Sequence, residues 1–277
     1  MTTGHIWVNG DLLPPDQACV SPLDHALLTG DGVFETLRVH QGTPFAVRRH
    51  LDRLARSAAG LRLPLADMGT NLRDAMDQVV EANDLRDGRI RITVTGGPGS
   101  LGSDRSGAPP TVIVAGAPLP DWPPATAVVT VPWPRNERGA LAGLKTVSYG
   151  ENVVALAYAR DRGGGEALFP NLAGNLCEGT GTNVFVGIAG RLRTPPLSSG
   201  CLAGVTRELL LELVSAEEQD VPLGALEAVE EAFLTSSTRD VQPVSALDGR
   251  PLREVPGPLT RAAAAAFAGL LARDLDP

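Results

Sequence analysis

The stretch Ala117-Pro-Leu-Pro-Asp-Trp-Pro-Pro124 restricts the fold more than any other feature of this chain. Four prolines in eight residues fix φ and remove backbone donors, so neither a helix nor an inner strand can run through it. It reads as a linker, and 277 residues suffice for two domains of ordinary size. The spacing predicts an N-terminal α/β domain over residues 1–116, a linker over 117–125 and a second domain over 126–277. In the first region, residues 5–8 and 33–39 alternate as strands, with turns at Asn9-Gly10 and Gln41-Gly42. Pro44-Phe-Ala-Val47 reads as the hairpin partner of the second strand. Leu51, Leu54, Ala58 and Leu61 mark one helix face, and a further helix covers about 71–83. Strands follow at 89–95 and 111–115, separated by a Gly-rich loop over 96–107. Beyond the linker the pattern predicts strands at 127–131, 166–169, 184–188, 191–194 and 232–237. Helices are expected at 152–162, 205–214 and 259–271.

The 24 basic residues are 23 arginines and a single lysine, Lys145, in Leu141-Ala-Gly-Leu-Lys-Thr-Val-Ser-Tyr149. Surface ion pairing accepts either residue, but only lysine offers an amine that can lose its proton and attack a carbonyl. A leftover surface lysine is the plain alternative. The apolar, Gly-containing surroundings weigh against it, because burial there would depress an amine's pKa. A Schiff-base lysine, most often serving pyridoxal phosphate, fits that position. Other classes are disfavoured. A net charge of −8 opposes a nucleic-acid groove. Cys19, Cys177 and Cys201 have neither metal nor disulfide spacing, which fits a reducing cytoplasm. His5, His25, His40 and His50 show no metal spacing either, so no metal is expected. No signal-peptide pattern opens the chain, and no window approaches the ~18 apolar residues of a membrane span.

Several weaker signals stand in a definite order. Cys177-Glu178-Gly-Thr-Gly-Thr-Asn183 contains a Gly-x-Gly, but a strand pattern follows it where a dinucleotide site needs a helix. Glu178 can face a pyridine nitrogen, or be a solvated loop residue. Gly204-Val205-Thr206 opens a helix whose free N–H groups make either a phosphate seat or an ordinary helix start. Thr235-Ser236-Ser237-Thr238 adds hydroxyl donors. Arg53 can be a phosphate cation or a surface helix charge.

Taken together, Arg53, Lys145, Glu178, Gly204-Val-Thr206 and Ser236-Ser237 resemble the class IV aminotransferase family, the fold-type IV pyridoxal 5'-phosphate (PLP) enzymes. Further matching stretches are Ile6-Trp-Val-Asn-Gly10, Gly30-Asp-Gly-Val-Phe-Glu-Thr-Leu-Arg38, His50-Leu-Asp-Arg-Leu54, Thr194-Pro-Pro196 and Phe233-Leu-Thr-Ser-Ser237. The resemblance implies an α/β (α+β) chain of two domains, an N-terminal two-layer α/β sandwich and a C-terminal α/β pseudo-barrel. It implies that Lys145 is the Schiff-base lysine and proton shuttle, and that Glu178 is the partner of the ring nitrogen. Arg53, the backbone of Val205 and Thr206, and the Ser236-Ser237 hydroxyls match the phosphate site. Leu202 matches the residue packed on the ring, and Tyr149 a tyrosine near the cofactor's phenolic oxygen, displaced by one position. A homodimer acting on a small-molecule substrate is also implied.

The family includes branched-chain and D-amino-acid aminotransferases and 4-amino-4-deoxychorismate lyases. Thr36 and Leu141-Ala-Gly-Leu-Lys145 look like the lyase branch. Thr95 is followed by Gly96, where the D-specific enzymes carry a carboxylate-binding arginine. Arg91 matches an arginine near the substrate carboxylate in branched-chain enzymes, which keeps amino transfer in play. Arg38, Arg89 and Arg91 can face a dicarboxylate, or point outward as strand charges. The expectation is a 4-amino-4-deoxychorismate lyase. A small-amino-acid aminotransferase is the alternative, and a non-catalytic PLP-binding protein a remote one.

Overall fold

The computed structural model describes residues 4–65 and 71–277. Contacts divide the chain into two compact units. The first takes Met1–Pro120, Leu144–Tyr149 and Asp274–Pro277, and the second takes Asp121–Gly143 and Gly150–Arg273. A linear reading through the proline-rich stretch cannot foresee that two later segments rejoin the first unit.

The first unit contains β1 (Ile6–Val8), β2 (Asp11–Leu13), α1 (His25–Thr29), β3 (Gly32–His40), β4 (Thr43–Pro44), α2 (Val47–Gly60), α3 (Leu72–Ala82), β5 (Gly88–Thr95) and β6 (Val112–Pro118). Its six strands are ordered β2-β1-β6-β5-β3-β4. One face is apolar: Val33, Leu37, Val39, Ile90, Ile92 and Val94 pack with Leu54 and Ala58 of α2 and Met76 and Val79 of α3. Burial on one face only accounts for the alternation read from the sequence. The expected hairpin partner of β3 is shorter than predicted. β4 ends at Pro44, because Ala46 turns to φ 55° and Val47 already starts α2. β6 in turn runs on to Pro118, two residues into the expected linker.

The second unit follows with β7 (Thr126–Thr130), α4 (Gly150–Arg160), β8 (Glu166–Pro170), β9 (Leu176–Gly179), β10 (Asn183–Ile188), β11 (Arg191–Thr194), α5 (Val205–Leu213), β12 (Ala216–Glu218), β13 (Glu231–Ser236), β14 (Asp240–Leu247), β15 (Arg250–Pro251) and α6 (Pro258–Arg273). Its strands run β12-β11-β10-β13-β14-β7-β8-β9, with β15 on β14. β9 ends one flank of that order, yet Thr180, Gly181 and Thr182 alone connect it to β10. So short a link brings distant strands together only if the sheet curls. Val128, Leu168, Val184, Leu234 and Val244 fill one core, and Ala155 and Ala159 of α4 cover a second that contains Phe169 of β8. β9 and β14 were not foreseen. The first is too short for a periodic signal, and the second contains Pro243, which argues against a strand but is accommodated opposite Phe233.

Candidate active site

In the first unit, β3 and β5 set the geometry. Their side chains alternate between faces, and directly opposed residues share one. Phe34, Thr36 and Arg38 stand opposite Thr93, Arg91 and Arg89, on the face turned away from α2 and α3. Lys145 belongs to this face. Its Nζ lies 4.2 Å from the Phe34 ring centroid, and the Arg91 guanidinium carbon lies 3.7 Å from the same ring. Tyr149 meets that ring edge-on, with centroids 5.3 Å apart at 74°. The Lys145 backbone is fixed as well: its N–H donates to Ser57 Oγ at 3.1 Å, and its carbonyl accepts from the Phe34 N–H at 3.0 Å. The lysine is half-buried against an aromatic ring, so it is not a loose surface charge. Burial draws the Arg91 guanidinium pKa below its ordinary value. Tyr149 opposes that shift, and the neighbouring Arg89 charge adds to it.

Arg53 lies on α2, one turn before Ser57, which holds the Lys145 backbone. Its Nε and Nη2 each donate to a Glu35 carboxylate oxygen at 2.7 Å, and His50 Nδ1 lies 2.7 Å from Glu35 Oε2. All three groups are buried. Burial alone would raise the Glu35 pKa, but Arg53 and His50 outweigh it and hold the carboxyl far below the usual range. Burial, the largest cause, pushes His50 below its ordinary value, against the pull of Glu35. Sequence reasoning passed over Glu35, although a carboxylate in register with Val33, Leu37 and Val39 on an apolar face announces a buried partner.

In the second unit Glu178 lies on β9. Its Oε2 accepts the Leu202 N–H at 2.9 Å, and its Oε1 lies 3.4 Å from Arg135 Nε. Arg135 also packs its guanidinium 4.0 Å from the Phe169 ring centroid and donates to Asn152. It was missed because it lies in an irregular stretch with no periodicity. Val205 and Thr206 are the first two residues of α5, as expected, and Gly204 precedes them without a side-chain cap. Ser236 ends β13, where its Oγ accepts from the Arg239 N–H at 3.2 Å, and half-buried Ser237 follows in the turn. Burial, and then Glu178, push the Cys201 thiol up to about 11, with Cys177 higher still, so neither is a nucleophile at neutral pH.

Two observations test whether this cradle suits a phosphate-bearing cofactor. Thr235 Oγ1 is buried without a hydrogen-bond partner. It shares a sheet face with its cross-strand neighbour Asn183, whose amide reaches the Leu202 carbonyl at 2.9 Å beside the α5 start. A Cβ on Gly204 would lie 1.9 Å from Asn183 Oδ1, so the chain keeps this helix start bare. The Glu178 carboxylate in this unit and the half-buried Lys145 amine in the first are each of the kind that PLP requires, so the residues of each unit fit that cofactor. Among the described residues, no group of three or more His, Cys, Asp or Glu side chains could hold a metal ion. No described helix is long and apolar enough to cross a membrane.

Comparison with known proteins agrees with this geometry. The family model for class IV amino-transferases matches residues 32–247. A Methanocaldococcus jannaschii protein provisionally named as a branched-chain-amino-acid aminotransferase is 34% identical over 254 residues, covering 88% of each chain. The crystal structure of the Escherichia coli branched-chain amino acid aminotransferase superposes with a TM-score of 0.89 at 28% identity, covering 97% of this chain and 94% of that one. A Legionella pneumophila structure provisionally named as a 4-amino-4-deoxychorismate lyase gives 0.83 at 27% identity, with 92% and 97% covered. The two curled α/β sheets are those of fold-type IV. The chain belongs to the class IV aminotransferase family, and it is a PLP-dependent enzyme.

Proposed function

We propose that this enzyme acts on an amino substrate carrying two carboxylates, and that its activity is that of a 4-amino-4-deoxychorismate lyase, releasing pyruvate and 4-aminobenzoate. One observation carries this reading. The face that bears Lys145 is cationic, with Arg38 directly opposite Arg89 and Arg91 opposite Thr36. Like charges directly opposed across a sheet weaken it, so a face that keeps them suits a ligand that neutralises them.

Each residue then has a definite task. Bound PLP supplies an electron-withdrawing ring that acidifies the substrate's α-carbon. Lys145 would hold it, and its Nζ amine would take up and return the substrate's α-proton. Glu178 would keep a proton at the ring nitrogen, with the Arg135 guanidinium balancing its charge. The Val205 and Thr206 amides, Ser236, Ser237 and Arg53 would take the phosphate, and Leu202 would pack on the ring. Tyr149 orients Phe34 beside Lys145, and Thr36, Arg38, Arg89 and Arg91 receive the substrate's anionic groups.

The second reading is amino transfer between a small amino acid and 2-oxoglutarate, itself a dicarboxylate. It is supported by the aminotransferase names among the relatives and by Arg91. Purified enzyme given aminodeoxychorismate should release pyruvate and 4-aminobenzoate in equal amounts. Amino transfer from leucine or D-alanine to 2-oxoglutarate, without pyruvate release from aminodeoxychorismate, would replace the lyase with the aminotransferase.

A further inference from the structure

Three helices begin on a side-chain acceptor. Asp24 caps α1, Asn71 caps α3, and Glu231 accepts the Leu259 and Thr260 amides at the start of α6. α2 has nothing comparable of its own. Ala46 precedes it in the left-handed region, which a residue with a Cβ rarely adopts, and offers no side-chain cap. Its first turn contains no acidic residue, and Arg48 and Arg49 stand where the helix dipole disfavours cations.

The missing acceptors come from the other end of the sequence. The Leu275 carbonyl accepts the Ala46 N–H at 2.7 Å, and Asp276 Oδ1 accepts the Arg48 N–H at 2.8 Å. The Pro277 carbonyl oxygen accepts Arg48 Nη2 at 2.9 Å and Arg49 Nε at 3.0 Å. Asp276 Oδ2 lies 3.3 Å from Arg73 Nη2 on α3. These contacts fall within the first unit. Half-buried Leu275 lies with Val47 and Met76 along a half-open pocket. Polar contacts thus hold this segment at several points.

The turn it secures contains His50, whose N–H donates to the Ala46 carbonyl at 3.1 Å and whose imidazole binds Glu35. Glu35 in turn fixes the Arg53 guanidinium one turn further along α2. We propose that residues 275–277 act as a clasp that caps α2, with Asp276 as a positioning residue for the Glu35–Arg53–His50 cluster. Its effect on cofactor binding rests on the reading of Arg53 as a phosphate partner.

The full chain carrying Asp276→Ala tests this against Asp276→Asn, which keeps a neutral Oδ1 acceptor. Hydrogen exchange is followed at the Arg48 and His50 amides, and the PLP dissociation constant is measured by titrating the apo-protein. In Asp276→Ala these amides should exchange about fivefold faster, as loss of a helix cap implies. PLP should bind about twofold more weakly, and Asp276→Asn should restore most of both. Unchanged exchange in Asp276→Ala, or exchange as fast in Asp276→Asn, overturns the clasp. Faster exchange with unchanged PLP affinity, while Arg53→Ala weakens PLP, overturns the positioning role alone. If Arg53→Ala leaves PLP affinity unchanged, the reading of Arg53 fails and takes the positioning role with it, and the exchange result still decides the clasp.

Discussion

The two units carry their candidate residues in different materials. In the first, side-chain charges dominate: Lys145, Arg38, Arg89 and Arg91 on one sheet face, and the Glu35–Arg53–His50 cluster between the sheet and α2. In the second, the proposed anion seat is made of the backbone amides of Val205 and Thr206 and neutral hydroxyls, and Glu178 and Arg135 form a charged pair. Side-chain charges are adjustable, since each position can be neutralised or reversed by substitution. Backbone amides cannot be substituted, and only the room around them can change. The charges of the first unit can therefore be varied position by position, whereas the start of α5 can be altered only through the room around it.

The sharpest way to break this contrast is Lys145→Arg. The guanidinium keeps the charge over Phe34 but does not deprotonate. The variant should fold, lose the visible absorbance band of bound PLP, and lose about 10²–10⁴-fold in kcat, as expected for removing a positioned acid–base group. Normal turnover would return Lys145 to an ordinary surface charge.

Glu35→Ala should come next. It leaves Arg53 buried without its carboxylate and should cost about 3–5 kcal/mol in chemical denaturation. The same cluster fixes a pH dependence. His50 titrates lower in the folded chain than its ordinary value of 6.5, and Glu35 lower than 4.5, so the unfolded chain takes up both protons first. Both contributions are present above those values and are lost as the pH falls below them. Thermal stability should therefore decline from about pH 6.5 and more steeply below about pH 4.5. In Glu35→Ala the lower step should shrink, with Asp31 keeping its own share, and an unchanged lower step would assign it to other carboxylates.

The smallest effect belongs to the second unit. In Gly204→Ala the new methyl meets Asn183 Oδ1, and overpacking of this kind costs about 1–3 kcal/mol. PLP affinity should fall while the Arg48 and His50 amides exchange as before. Wild-type PLP affinity in that variant would mean that the α5 start does not receive the phosphate.

Much of this was legible without coordinates. Apolar periodicity located α3, β5, β11 and α5 to within a residue or two, because each buries chiefly one face, and a continuous apolar run located β10, which is buried on both. Gly204-Val-Thr206 could be singled out because its environment is local: a short stretch of backbone is enough to present it. Glu178 was singled out by the resemblance, and its contacts with Leu202 and Arg135 come only with folding. The start of α2 could not be placed. The turn at Ala46 is stabilised by residues 275–277, and no window of sequence contains both. Arg53 looked like a surface charge from its helical spacing, and only the pairing of β3 with α2 buries it on Glu35.

The residues alone therefore determined the class of chemistry, since a lone amine in an arginine-rich chain, an acid and a bare helix start are properties of composition and short-range order. The folded chain decided which charges meet. Coulomb energy depends on separation in space and on the surrounding dielectric, and neither is set until segments far apart in sequence are packed together. That is why Glu35, His50, Arg135 and Asp276 gained their roles only in the tertiary structure.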